Sequence, residues 1–125
     1  DVYKRQVYVL AETAQQITGE HWDYENEVQL SGALGSGITY RETPLGKRIS
    51  DISVLVENKL KDLHGCYIPC IAWNDTAAMV KEWHEGERVT LKGKLQSRAY
   101  TKRVGEQQEE QRTAYEVSIY AIGKE

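Results

Sequence analysis

The chain has 125 residues, of which 40% are hydrophobic and 28% are charged. This length fits one domain, and the apolar fraction is sufficient for a core and too high for a chain that stays disordered. The 16 basic and 19 acidic side chains leave a formal net charge of −3. The longest apolar runs, such as residues 68–73, are far shorter than the roughly 20 residues of a membrane-spanning helix. The sequence therefore does not predict a protein that crosses a membrane with helices.

The first ten residues mix charges with apolar positions and lack the basic start, apolar centre and cleavage site of a secretory signal. We therefore expect a cytoplasmic protein with no membrane partner.

Cysteines and histidines give no pattern typical of a metal site or a catalytic centre. Cys66 and Cys70 fall in one predicted strand, with α-carbons about 13 Å apart, too far for a disulfide. The metal-binding spacings Cys-x2-Cys and His-x3-His are absent. His21, His64 and His84 lack a suitably spaced carboxylate and nucleophile, and there is no glycine-rich phosphate loop. We expect a protein that is not an enzyme and holds no metal or cofactor.

Period-two alternation with many Val, Ile, Tyr and Thr residues predicts a mainly β protein. A candidate strand at residues 6–11 is followed by a polar linker over 18–26. The next predicted strand, at 27–41, contains three glycines, which indicate a bulge or a sharp coil of the kind that closed barrels need. A turn at 43–46 leads to a predicted strand at 47–57.

The second half of the chain begins with a predicted loop at 58–65, followed by a strand at 66–73. Pro69 inside that strand indicates an edge or bulged position. Two further strands are predicted at 88–100 and 113–122, joined by a very polar loop.

A short helix is predicted between the third and fourth barrel strands. Asn74 or Asp75 is expected to cap its N-terminus, and Gly86 to end it. Its apolar positions are Met79, Val80 and Trp83, and we assign Trp83 to the plug of the barrel. Five strands with this helix and a glycine-bent first strand predict an all-β, five-stranded OB-fold barrel.

Aromatic and basic residues alternate onto one face of the predicted third and fourth strands. The aromatic candidates for base stacking are Tyr67, Trp73 and Tyr100. The basic candidates for phosphate contact, on the fourth strand and beside the two hairpin loops, are Arg41, Lys47, Arg48, Lys92, Lys94, Arg98 and Lys102. Stacking platforms beside a basic groove are typical of proteins that bind single-stranded nucleic acid. The separate features also have ordinary explanations, since strand aromatics often pack and alternating cations often protect an edge.

Several fragments occur in a fixed order along the chain: Asn26, Glu27, Val28, Leu30 and Gly32; Arg41, Thr43, Pro44 and Gly46; residues 68–73; Gly86, Arg88, Val89, Gly93, Leu95, Ser97, Arg98 and Tyr100; and Tyr115, Glu116 and Val117. Together they resemble bacterial single-stranded DNA-binding proteins. The resemblance spans residues 26–122. It implies an OB-fold domain at 26–125 that binds single-stranded DNA without sequence preference in replication, recombination or repair, as a homodimer or tetramer associated with the nucleoid.

The same resemblance makes residues 1–25 a strand and linker, a possible remnant of a preceding OB module. Two features depart from the family pattern. The chain stops after the last strand without an acidic-tipped tail, so recruitment of replication or repair proteins through such a tail is unsupported. Relatives often have an aromatic residue at the end of the second strand, whereas this chain has the aliphatic and polar residues 56–60 there. The alternative function is an OB-fold protein-interaction module of a primosome-type accessory factor.

Overall fold

The computed structural model describes residues 11, 13–16, 25–57 and 65–125. The candidate strand at 6–11 lies, apart from residue 11, outside the described residues. Most of the predicted linker at 18–26 and of the loop at 58–65 also lies outside them.

Six strands and one helix make up the described chain. In order they are β1 (Val28–Leu34), β2 (Thr39–Glu42), β3 (Arg48–Val56), β4 (Cys66–Trp73), α1 (Asn74–Val80), β5 (Arg88–Arg103) and β6 (Glu109–Lys124). The strands are ordered β1-β5-β6-β4-β3-β2 in the sheet, and β1 also pairs with β3, which closes the sheet into a ring. The architecture confirms the predicted OB-fold barrel, with its helix after β4. Within the described ranges, no helix is long and apolar enough to cross a membrane.

The predicted strand at 27–41 is interrupted, so that β1 and β2 are separate elements. Between them Gly37 has a φ of +79°, a left-handed conformation that glycine adopts without strain. Gly32 serves a different purpose, because a Cβ there would lie 2.1 Å from the carbonyl oxygen of Leu55. The glycines therefore provide one break in the strand and one close approach of β1 to β3.

The barrel interior is filled by alternate side chains of the strands. The buried core residues are Leu34, Ile52, Val54, Cys70, Ala72, Ala77, Val80, Val89, Leu91, Val117 and Ile119. Helix α1 covers one end of the barrel, where the buried hydroxyl of Ser50 donates a hydrogen bond to the carbonyl oxygen of Ala77 at 2.7 Å. Trp83 packs against this core, as predicted.

The predicted helix boundaries are wrong at both ends. The N-cap residue is Trp73, and no side chain caps the helix. Asn74 and Asp75 instead bond to β3, because Asn74 Oδ1 accepts from the backbone N–H of Arg48 at 3.4 Å and Asp75 pairs with the Arg48 guanidinium.

The helix ends at Val80 and not at Gly86. Turns cover part of the stretch that follows it. Met79, one of the apolar positions of the predicted helix, is 44% exposed. Of the residues in this short helix, only Ala77 and Val80 are buried.

Pro69 lies at an edge, as its residue type predicts. Strand β4 pairs with β3 along its whole length, but with β6 only at Cys70 and Ile71, in the one parallel pairing of the described sheet. Pro69 is therefore in the half of β4 that has a single neighbouring strand, where a missing backbone N–H costs least.

The β5–β6 hairpin is longer than predicted. Strand β1 pairs with β5 only at residues 88–93, and β4 pairs with β6 only at 117–118, whereas β5 and β6 pair with each other out to Arg103 and Glu109. The outer part is a two-stranded ribbon extending beyond the barrel. Its exposed faces need no apolar alternation, so the polar segment that predicted a loop is partly strand.

Gly93 is expected to be indispensable for pairing between β5 and β6. A Cβ at this position would lie 2.2 Å from the carbonyl oxygen of Ser118, whereas one at Gly123 meets nothing within 4 Å. Gly93→Ala should lower the free energy of unfolding by about 1–3 kcal/mol or more, because backbone must move. Gly123→Ala should stay within about 0.5 kcal/mol of the parent protein. Urea denaturation of both variants measures this, and equal stabilities would contradict the described register.

Candidate nucleic-acid interface

A row of side chains crosses the outer surface of the barrel. Its centre is Trp73, at the end of β4, whose ring Nε1 donates a hydrogen bond to Ser118 Oγ in β6 at 3.1 Å. Ser118 is directly opposite Lys94 in the β5–β6 ladder. On the other side, Trp73 is opposite Ile49, which is opposite Arg41 in β2. The closure of the barrel therefore brings residues from β2, β3, β4, β6 and β5 into one transverse row.

The floor beneath this row is apolar. Ile49 and Ile71 are buried, yet neither belongs to the core cluster inside the barrel. Ile71 shares the Trp73 face of β4 by alternation and lies between Asp51 in β3 and Ser118 in β6. Buried aliphatic side chains on an outer face give a water-poor base against which a flat ring can lie.

A lysine adds positive charge beside the indole. The Nζ atom of Lys47, the residue just before β3, lies 5.9 Å from the centroid of the Trp73 ring. Trp73 itself is half-buried, because one edge is fixed by Ser118. The residue therefore presents a partly exposed, positionally fixed ring next to a cation.

The same face continues along β5 onto the ribbon. Lys94, Gln96, Arg98 and Tyr100 follow one another at period two, so all four lie on one side of the strand. Arg98 Nε lies 3.1 Å from Oε1 of Glu116 in β6. The guanidinium carbon of Arg98 lies 5.9 Å from the centroid of the Tyr100 ring. The predicted series of lysine, arginine and tyrosine is thus one surface.

Tyr67 lies on the Trp73 side of β4 but far from the transverse row. It is 60% exposed, and it lies six positions before Trp73 along the strand, which corresponds to about 20 Å. A Cβ on Gly35 would lie 3.1 Å from the Tyr67 ring, so the ring packs over that glycine. Tyr67 marks the far end of the face.

Two predicted lysines lie at the two ends of the β5 series. Lys92 lies in the part of β5 that pairs with β1, opposite Gln29. Lys102 lies near the tip of the ribbon, opposite Glu110 of β6. Both are exposed. They extend the positive positions along β5 in both directions from Lys94.

Arg48 is the one predicted site residue that faces elsewhere. Alternation places it on the other side of β3 from Ile49, and its Nη2 atom lies 2.5 Å from Asp75 Oδ1 in α1. It therefore belongs to the helix-covered end of the barrel. Sequence pattern alone did not show this, because Arg48 lies beside Lys47 at the end of a turn, where the face of each residue is ambiguous.

The arginines and lysines of the predicted site differ in their partners. Arg41, Arg48 and Arg98 each form a salt bridge, with Asp51, Asp75 and Glu116 respectively. Among the residues that the structure describes, the four predicted lysines have no carboxylate within 4.0 Å; they are Lys47, Lys92, Lys94 and Lys102. The uncompensated positive charge on the face is therefore lysine charge.

Ser118, Ile49 and Asp51 were not predicted as part of this surface. Their residue types carry no signal for nucleic-acid binding, and their place in the row depends on strand register. The only available clue was the alternation in β6, where Glu116 and Ser118 share one face and the buried Val117 and Ile119 the other.

The fold and this surface define a class, the OB-fold domain with a strand face flanked by two hairpin loops. The family model described as "Single-strand binding protein family" matches residues 25–123, which include β1 to β5 and nearly all of β6. The chain belongs to this family, which is a non-enzymatic DNA-binding family whose general function is binding single-stranded DNA. No curated protein matches the sequence.

The two cysteines of β4 should differ sharply in reactivity. Cys66 is exposed and Cys70 is buried, and both are free. Burial, with a smaller contribution from the charge of Glu116, raises the pKa of the Cys70 thiol from an ordinary 9.0 to about 12. At pH 8 its thiolate fraction is then on the order of one in ten thousand, so it is a poor nucleophile.

We expect one thiol per chain to react rapidly with Ellman's reagent at pH 8, and the second to react only after unfolding. Cys66→Ser should remove the rapid phase. The unfolded state loses the Cys70 proton near pH 9 while the folded state keeps it to about 12. The free energy of unfolding should therefore decrease as pH rises through this range. Two rapidly reacting thiols in the native protein would show that the Cys70 side chain is not in the core.

Proposed function

We propose that the face centred on Trp73 binds single-stranded DNA without sequence preference, by stacking bases on Trp73, Tyr67 and Tyr100. The observation that carries the proposal is the transverse row, in which a fixed indole lies over an apolar floor with lysines on both sides. Family membership supports the general activity, and the row supports this particular location for it.

The physical argument for stacking rests on preorganisation. The hydrogen bond to Ser118 already restricts the Trp73 side chain, so less conformational entropy is lost when a base stacks on it. A stacked base contributes roughly 1–3 kcal/mol and requires no particular base identity, because every base has a flat π face.

Phosphate contacts are assigned to the lysines. Lys94 and Lys47 lie next to the indole, and Lys92 and Lys102 extend the series along β5. Arg41 lies in the row but is paired with Asp51 at 3.0 Å. Arg48 is left out of the proposed interface because it faces α1.

Coating of unwound strands during replication, recombination or repair follows from this activity, and with it a cytoplasmic, nucleoid-associated location. Members of the family are typically oligomers, and we propose a homodimer or tetramer for this chain. Several copies would supply several such faces to one flexible polynucleotide, which raises the apparent affinity without new contacts.

Trp73→Ala should weaken binding to oligo-dT by about 10- to 100-fold, because one stacking platform is lost. Trp73→Phe should retain part of the affinity. Tyr115→Ala is the matched control, since Tyr115 is 41% exposed on the opposite face of β6 from Ser118. Fluorescence anisotropy of labelled oligo-dT measures all three variants, with circular dichroism as the check of folding.

Full affinity of a folded Trp73→Ala variant for oligo-dT would contradict the proposed stacking. If the parent protein also fails to bind oligo-dT yet forms a stable heteromer with a replication protein, the interaction-module alternative replaces the proposal. Quenching of intrinsic tryptophan fluorescence by oligo-dT, reduced in Trp73→Phe, would support it.

Lys94→Gln should make the affinity for oligo-dT less sensitive to salt. Losing one phosphate contact lowers the slope of log K against log salt concentration by about 0.7 for a single strand. Arg48→Gln removes the same charge at the helix end and should leave the slope unchanged. Titrations between 50 and 300 mM KCl measure the slopes, and equal effects of the two substitutions would point to net charge and not to the Trp73 face.

A further inference from the structure

A carboxylate lies nearly buried in the middle of the proposed DNA-binding face. Glu116 is 5% exposed, and it is the one acidic residue among the buried residues of the described chain. In β6 it lies next to the core residue Val117. Alternation along the strand places its side chain on the outer face of the barrel. A negative charge is unexpected where an anionic polymer is to bind.

Both hydrogen bonds to Glu116 come from side chains of the same face. Oε1 accepts from Arg98 Nε at 3.1 Å and from Gln96 Nε2 at 3.2 Å. A desolvated carboxylate is tolerated only when it is paired and hydrogen-bonded, so Glu116 depends on Arg98 although the arginine side chain itself is 47% exposed. For comparison, Asp51, the partner of Arg41, is 36% exposed.

Arg98 links this carboxylate to an aromatic ring. Its guanidinium carbon lies 5.9 Å from the Tyr100 ring centroid while its Nε faces Glu116. A guanidinium that is fixed at one edge still has a flat face, which can extend the surface offered by a neighbouring ring. Because its charge is compensated by Glu116, a phosphate gains little by approaching it.

We propose that Glu116 is a positioning residue that fixes Arg98 beside Tyr100 and cancels its charge, so that Arg98 and Tyr100 form a base platform and not a phosphate contact. The proposal rests on the proposed function and refines it. On this proposal Arg98 and Tyr100 contact bases, and the lysines contact the phosphates. It differs from the expectation that Arg98 contributes charge to the groove.

The test compares the salt dependence of oligo-dT binding by the parent protein, Glu116→Gln, the double variant Glu116→Gln with Arg98→Gln, and Lys94→Gln. Glu116→Gln keeps the shape of the side chain and an amide oxygen that can accept from Arg98, but frees the arginine charge. It should increase the slope of log K against log salt by about 0.7. The double variant should return to the parent slope, and Lys94→Gln should fall below it by about the same amount.

The outcomes separate this inference from the proposed function. An unchanged slope in Glu116→Gln, or a double variant with a slope as low as Lys94→Gln, would show that Arg98 contacts a phosphate in the parent protein and would overturn the inference. A parent protein without salt-dependent binding to oligo-dT would overturn the proposed function instead. If Glu116→Gln alone does not fold, the double variant decides, because it removes both charges and should weaken binding with the parent slope, and a slope lowered by about 0.7 refutes the inference.

Discussion

The short parallel seam between β4 and β6 is the contact on which the rest of the structure depends. Only two residue pairs form it, Cys70 with Val117 and Ile71 with Ser118, and it joins the two ends of the antiparallel sheet. The Trp73 indole bridges the same two strands through Ser118 Oγ at 3.1 Å. The side chain proposed to stack with bases therefore also connects the strands where the barrel closes. The indole is therefore fixed at the place where β4 and β6 meet.

The seam also explains how a chain with a net charge of −3 can carry a face for a polyanion. Closing the barrel brings the lysines of β5 and of the β2–β3 turn to opposite sides of Trp73. The arginines are compensated by carboxylates on neighbouring strands. Net charge is a sum over the whole surface, whereas a flexible polymer responds to the local charge within about a Debye length, near 10 Å at 0.1 M salt. The segregation of charge matters more here than its total.

Much of the fold could be predicted from the sequence because its signals are local. The bounds of β4 agree at both ends with the predicted strand at residues 66–73, since the segment is apolar and bounded by polar residues. The helix ends were predicted wrongly because Asn74 and Asp75, which usually cap, bond to Arg48 instead. That choice depends on a strand 26 residues earlier in the chain and has no local signal. The ribbon was predicted too short for the opposite reason, since strands exposed on both faces carry no hydrophobic period.

The candidate site could be predicted in its residue types but not in its connections. Alternation on one strand placed Lys94, Arg98 and Tyr100 on a common face, and that grouping follows from period two alone. Whether Trp73 meets Ser118, and Arg98 meets Glu116, depends on the register of β6 against both neighbours, and a shift by one residue would reverse every side chain. Because register decides which cations meet a carboxylate, it also decides which of them remain available to a ligand. Within the described residues, the division between lysines without a carboxylate partner and arginines paired with one is a property of the closed barrel.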